Sequence, residues 1–181
     1  MLRNLLVPAE ELIVQFARVH RDQRNIATHM IGVPMVVFGC AVLLARGHLG
    51  AAATGLSLAW LAWSIATLSV VSRGHLLLGL TVGLASGVLF ALAHLASAGT
   101  LVQALGWGLG FVLGGAALQW LGHCYEGRRA AWIDELHGLL VAPLFVAAEM
   151  LFALGLARPL QREVERRAGP TVLRDLAHPA R

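Results

Sequence analysis

From Gly74 to Tyr125 the chain runs for 52 residues without a single Asp, Glu, Lys or Arg. A helix or strand at the surface of a soluble domain needs a charged or polar face toward water, and a stretch of this length cannot supply one. It is long enough for two membrane crossings of about 20 residues each. Ala98-Gly99-Thr100 is the natural turn between them. Two further stretches read the same way: Asn25 to Ala45, free of these charges for 21 residues, and Gly47 to Ser72, free of them for 26. Only 13% of the chain is charged and its mean hydropathy is +0.71, whereas a soluble domain is about a quarter charged. Disordered, fibrous and ordinary soluble-enzyme classes are thereby excluded. The expectation is an all-α integral membrane helical bundle with four spans, forming one domain over residues 1–181.

A fifth apolar run, Leu136 to Ala157, carries Pro143 near its middle and Glu149 within it. A carboxylate facing hydrocarbon is costly, so Glu149 must face protein or a polar cavity. The net charge of +4 comes with 14 basic residues, all of them Arg. They cluster at the termini and in the gaps between apolar runs, which is membrane-flanking placement and argues against a nucleic-acid partner. With the N-terminus cytoplasmic and four crossings, only Arg46 falls outside. A fifth full crossing would move the basic tail, 158–181, to the far side. The fifth segment is therefore expected to be kinked or re-entrant, with both termini cytoplasmic (at the inner membrane, if the source is bacterial). Ahead of the 25–157 bundle, residues 8–20 read as an amphipathic interfacial helix with Pro8 at its first position and an apolar stripe of Ala9, Leu12, Ile13 and Phe16. Glycines recurring every four residues, Gly79, Gly83, Gly87 and Gly106, Gly110, Gly114, suit close helix packing. Cys40 and Cys124 form no paired motif, so no disulfide framework is called for.

The chemistry-bearing residues gather at one end of this bundle. His20 and His29 lie nine positions apart, on opposite sides of any continuous helix. The intervening Arg-Asp-Gln-Arg-Asn reads as a break, with Asn25 as the N-cap of the first span. Two helices meeting there at an angle can converge both imidazoles. His123 and Glu126, three apart on one helix face, stand where the fourth span leaves the membrane at the same cytoplasmic end. Three histidines and a carboxylate at one depth suit Fe, Zn, Cu or Ni, and open positions on such a set suit non-haem Fe(II) and O₂. Glu126 has a plainer alternative as the ion-pair partner of Arg128 or Arg129. His137 reads either as a fourth ligand or as a boundary residue. His48, His75, His94 and His178 read as ordinary interfacial histidines, although His75 and His94 would be the pair to consider as axial ligands of a haem.

Three segments carry a family resemblance: H-x4-N-x3-H-x-I-G-V-P (His20 to Pro34), LQWLGHCYEGRRA (Leu118 to Ala130), and L-x2-A-P-L-F-V-A-A-E (Leu139 to Glu149). Together they resemble the DUF962 family. One departure shows, Ala130 where the family has proline after the basic pair; that position shapes a loop. The resemblance implies an Fe(II)-dependent dioxygenase that converts 2-hydroxy fatty acids to the acid one carbon shorter, with release of CO₂. It implies iron held by His20, His29 and His123, and with them Glu126. Arg128 and Arg129 would then meet the substrate carboxylate, with Asn25 a further substrate-binding candidate. The partners would be a membrane lipid substrate and O₂, with self-association an option that the apolar helices allow. The rival readings are a zinc-dependent lipid hydrolase at the same residues and a lipid-binding or assembly protein whose histidines are incidental.

Overall fold

The computed structural model describes residues 7–50, 55–127 and 137–175. Seven helices occur among them: α1 (Ala9–Ala17), α2 (Gln23–Ala45), α3 (Leu58–Val71), α4 (Leu76–Ser97), α5 (Leu101–Glu126), α6 (His137–Ala153) and α7 (Arg158–Ala168). A two-residue hairpin, β1 (His48–Leu49) with β2 (Leu56–Ser57), joins α2 to α3. Three helices, α2, α4 and α5, are long and apolar enough to cross a membrane, and up to four spans result if the bent pair α6–α7 counts as one. The fold is all-helical and of membrane type.

The second charge-free stretch does not form a full-length span. Its first residues are spent on the hairpin, and Ser57 caps a helix of only 14 residues. At 1.5 Å per residue α3 covers about 21 Å, short of the ~30 Å hydrocarbon core. It nevertheless runs back to the starting end of α2. Arg46, at the end of α2, donates to the carbonyls of Ser97 and Gly99, which places the α4–α5 turn at that far end. Arg73, after α3, donates to the Val7 carbonyl, which places the α3–α4 turn beside α1. Helices α2 to α5 therefore alternate in direction, and His29 and His123 lie at the same end. The turn at 98–100 forms as expected, with a capping box between Thr100 and Gln103.

The α2–α5 seam sets the geometry of that end. A Cβ on Gly32 would lie 2.7 Å from the Gly115 carbonyl oxygen, and one on Gly39 would lie 2.6 Å from that of Gly108. The seam thus pairs glycines seven apart on each helix, and Gly122 continues it: a Cβ there would collide with Thr28 Oγ1 and Asn25 Oδ1. This differs from the four-residue period expected on α5, where Gly106 and Gly110 face open space. Gly79, Gly83 and Gly87 do admit α3, through Val71, Thr67 and Trp63.

Helix α1 ends at Ala17, short of His20, and buries Ala9, Leu12, Ile13 and Val14 in a core shared with α6 and α7. Its apolar side is covered by protein. Helix α6 passes through Pro143 without interruption, and the break comes later, at Leu154–Ala157, where Ala157 takes a left-handed conformation and α7 leaves at 116°. Beyond α7, Val172 pairs in parallel with Asp22: Gln23 N–H donates to the Val172 carbonyl and Val172 N–H to that of Arg21. The last described stretch of the tail is a strap across the α1–α2 junction.

Candidate metal centre

The junction turns between Arg18 and Asp22. Asp22, not Asn25, is the N-cap of α2, its carboxylate accepting from Arg24 N–H at 2.9 Å. Asp is as good a cap as Asn, and the earlier start places Asn25 inside the first turn. The Arg24 guanidinium is the main reason that the Asp22 carboxyl is held far below the usual carboxylate range.

His20, His29 and His123 come together at this junction. Ring centroids are 4.6 Å apart for His20–His29, 5.0 Å for His20–His123 and 5.2 Å for His29–His123. One nitrogen from each lies within 4.8 Å of the others. All three are buried, at 1%, 1% and 5% exposure. His20 Nδ1 donates to the Phe16 carbonyl at 2.7 Å and His29 Nδ1 to the Asn25 carbonyl at 2.9 Å. Such bonds fix the tautomer and leave each Nε2 as a lone-pair donor. His20 also stacks on Phe16, with centroids 4.0 Å apart. Burial, and after it the neighbouring His29 ring, push the His20 pKa down to about 3, so this imidazole is neutral at pH 7. His20 Nε2 and His123 Nδ1 are buried without a hydrogen-bond partner. Buried polar atoms are nearly always satisfied. Two orphan nitrogens facing a shared space fit a metal ion, which takes up such lone pairs. The three histidines could hold one.

Glu126 neighbours that trio without joining it. Its Oε2 accepts from the N–H groups of Arg21 (3.0 Å) and Asp22 (2.8 Å) and from Asn25 Nδ2 (3.2 Å). Its Oε1 accepts from Arg174 Nε (3.1 Å) and Nη2 (2.6 Å). The carboxylate thus pairs with an arginine of the tail, and it anchors the turn that carries His20. Asn25 is wholly buried between Glu126 and Gly122, where it supports His29 through its carbonyl. Glu149, expected to need a protein partner, has Arg21 at 3.2 Å.

Arg128, Arg129, Ala130 and His178 lie outside the described residues, as does the His137 side chain. His75 and His94 cannot flank one haem: they sit at opposite ends of α4, about 28 Å apart by helix rise. His94 is satisfied locally, by the Phe90 carbonyl and Ser57 Oγ. Sequence reasoning passed over Arg21 and Arg174. Arg21 sits within the first histidine motif, which was a signal; nothing local marks Arg174.

The fold and this centre define a class: an apolar helical bundle that gathers buried histidines from distant segments at one end. The comparisons narrow it. Residues 7–154 match the family described as 2-hydroxy-palmitic acid dioxygenase Mpo1-like. The chain is also 35% identical over 150 residues to the 2-hydroxy-palmitic acid dioxygenase MPO1 of Saccharomyces cerevisiae, covering 81% of each protein. No solved structure matches it. The chain belongs to the Mpo1-like family, whose name describes a dioxygenase acting on a 2-hydroxy fatty acid.

Proposed function

We propose that this protein is an Fe(II)-dependent dioxygenase that shortens 2-hydroxy fatty acids by one carbon. The observation that carries the reading is the pair of unpartnered buried nitrogens, His20 Nε2 and His123 Nδ1, in a trio of converging imidazoles, in a chain similar to a 2-hydroxy-palmitic acid dioxygenase. In this reading His20, His29 and His123 hold the iron. Bound iron would supply a place for O₂ and a route for electrons between it and the organic substrate. The reaction balances without a reductant: a 2-hydroxy acid and O₂ give the shorter acid, CO₂ and water, the substrate providing all four electrons.

The chain's own residues supply position and enclosure. The Phe16 and Asn25 carbonyls orient two imidazoles, and Phe145, with its ring 5.6 Å from that of His20, walls the centre on the α6 side. Burial keeps His20 unprotonated and excludes bulk water. Glu126 serves as the anchor of the turn and not as a ligand, since both of its oxygens are already engaged. Arg128 and Arg129, two and three residues beyond it in the chain, are assigned to the substrate carboxylate. For topology, α2 to α5 give four passes, α3 being the short one. Helix α7, with its polar residues and its 116° bend from α6, stays at the end of the bundle that holds the histidines. By the arginine distribution that end faces the cytoplasm.

Oxygen uptake by detergent-purified protein, with 2-hydroxypalmitate and with or without Fe(II), tests the reading. Uptake that requires both, with the shorter acid and CO₂ as products, is expected. Purification with stoichiometric zinc and no oxygen uptake after iron loading would overturn it in favour of a hydrolase.

A further inference from the structure

Below α1, lined by α2, α3, α4 and α6, lies a partly open cavity of about 260 Å³. Protein interiors are packed with few voids larger than a water molecule, and in this chain the α2–α5 seam is tight enough to exclude a methyl group. On the other side of α2 the helices instead leave room for a partly open apolar pocket. Its walls are almost wholly apolar: Leu12, Val36, Cys40, Trp63, Phe90 and Leu144 among them. Ser86, also on the wall, has its hydroxyl turned to the Val82 carbonyl at 2.6 Å. Ser69 and Arg73 are the other polar residues on the wall, and the Arg73 guanidinium donates to the Val7 carbonyl. The rest of the lining offers dispersion alone, which suits an alkyl chain better than a polar ligand.

Two helices connect this cavity to the histidines. On α1 and its extension, Leu12, Phe16 and His20 recur every four residues. On α2, His29, Val33, Val36 and Cys40 follow helical spacing along one face. From His29 to Val36 is about 10 Å of helix rise, and to Cys40 about 16 Å. A lipid whose head lies at the imidazoles and whose chain follows α2 would enter the cavity well before its methyl end. Between the two stand the rings of Phe16 and Phe145, 4.9 Å apart, as the partition such a chain must pass.

We propose that this cavity is the acyl-chain subsite of the enzyme, holding the methyl-terminal part of the 2-hydroxy acid while its head group lies at His20, His29 and His123. The assignment rests on the function proposed above, but its test does not require turnover.

Full-length protein in lipid nanodiscs is irradiated with 2-hydroxypalmitate that carries a diazirine near its methyl end, and the labelled peptides are mapped by mass spectrometry. Label is expected within 36–40, 62–66 or 86–90, and excess 2-hydroxypalmitate should displace it while added phosphatidylcholine should not. Label confined to outward-facing positions such as Leu84 and Leu109, or displaced equally by phosphatidylcholine, overturns the proposal. In a second arm, Ala66→Phe fills the cavity. By the free energy of burying each methylene, binding of 2-hydroxypalmitate should fall by about tenfold or more while that of 2-hydroxyoctanoate holds within about twofold; equal losses, or none, overturn the subsite. Cavity labelling without any oxygen uptake would leave the subsite standing and sink the oxidation chemistry. Oxygen uptake with label elsewhere would do the reverse.

Discussion

Two polar clusters are buried side by side at the α1–α2 junction, and they are built on opposite principles. Both oxygens of Glu126 are used: two backbone N–H groups and Asn25 bond one, and Arg174 grips the other. Around His20, His29 and His123 the backbone carbonyls of Phe16 and Asn25 take one nitrogen from each of two rings, and His20 Nε2 and His123 Nδ1 have nothing to bond. A satisfied buried network rigidifies a fold, whereas an unsatisfied one is costly unless something else completes it. The difference separates scaffold from site among residues that the sequence presents together, and it makes substitutions in the two clusters fail in different ways.

The largest expected effect is on metal content. His20→Ala, His29→Ala and His123→Ala should each abolish stoichiometric metal, a loss beyond the 10–100-fold that removing a supporting hydrogen bond produces, while helical content by circular dichroism holds. Retention of metal in all three variants would dissolve the contrast, since the histidines would then be no more a site than His94. Glu126→Ala should fail the other way. It leaves the Arg174 guanidinium and three other donors unmatched in a buried place, which costs about 3–5 kcal/mol. The thermal midpoint should drop sharply, while protein that remains folded still takes up metal. A Glu126→Gln protein of normal stability that had lost its metal would make Glu126 a ligand after all.

Proton competition gives the next effect. The folded pKa of His20, about 3, lies below its ordinary value of 6.5, so the unfolded chain takes the proton first. Stabilisation from neutral His20 is complete above pH 6.5 and is lost as the pH falls toward 3, amounting to about 2 kcal/mol by pH 5. Asp22, its pKa also depressed, adds its own loss only at lower pH, below the ordinary carboxylate range. Metal-free protein should therefore soften between pH 6.5 and 5; bound metal should raise stability over that range without removing the slope, because it too requires His20 unprotonated in the folded state. A flat profile without metal would mean that His20 is open to water.

Much of this arrangement was legible before any coordinates. Charge-free stretches disclose apolar helices because lipid and helix cores exclude the same groups, and a nine-residue histidine spacing interrupted by capping residues discloses a bend that brings the rings together. What stayed hidden depended on partners far away in the chain. The hairpin that shortens α3 lies in a stretch whose composition matches a full span. The seam through Gly108, Gly115 and Gly122 is indistinguishable in sequence from the idle Gly106 and Gly110 until α2 is beside it. Asn25 and Asp22 are both good caps, and only the neighbouring Glu126 decides between them. The strap was least visible, because Arg174 sits in a basic tail that reads as membrane-flanking charge and lies beyond residues 7–154 of the family match.

That tail residue supplies the finest test of the contrast. Arg174→Lys keeps the charge beside Glu126 but replaces a two-nitrogen grip with a single point donor. One charge-assisted hydrogen bond is lost from a network in which backbone amides still hold the other oxygen, so the cost should be about 1–2 kcal/mol. It should appear as a lower thermal midpoint and as faster hydrogen exchange at Arg21 to Gln23, where the strap is paired. Metal content should not change, because none of the three imidazoles bonds to Arg174. If Arg174→Lys instead released metal at unchanged stability, the strap would belong to the centre itself, and the boundary between the saturated cluster and the open one would have to be drawn on the other side of Glu126.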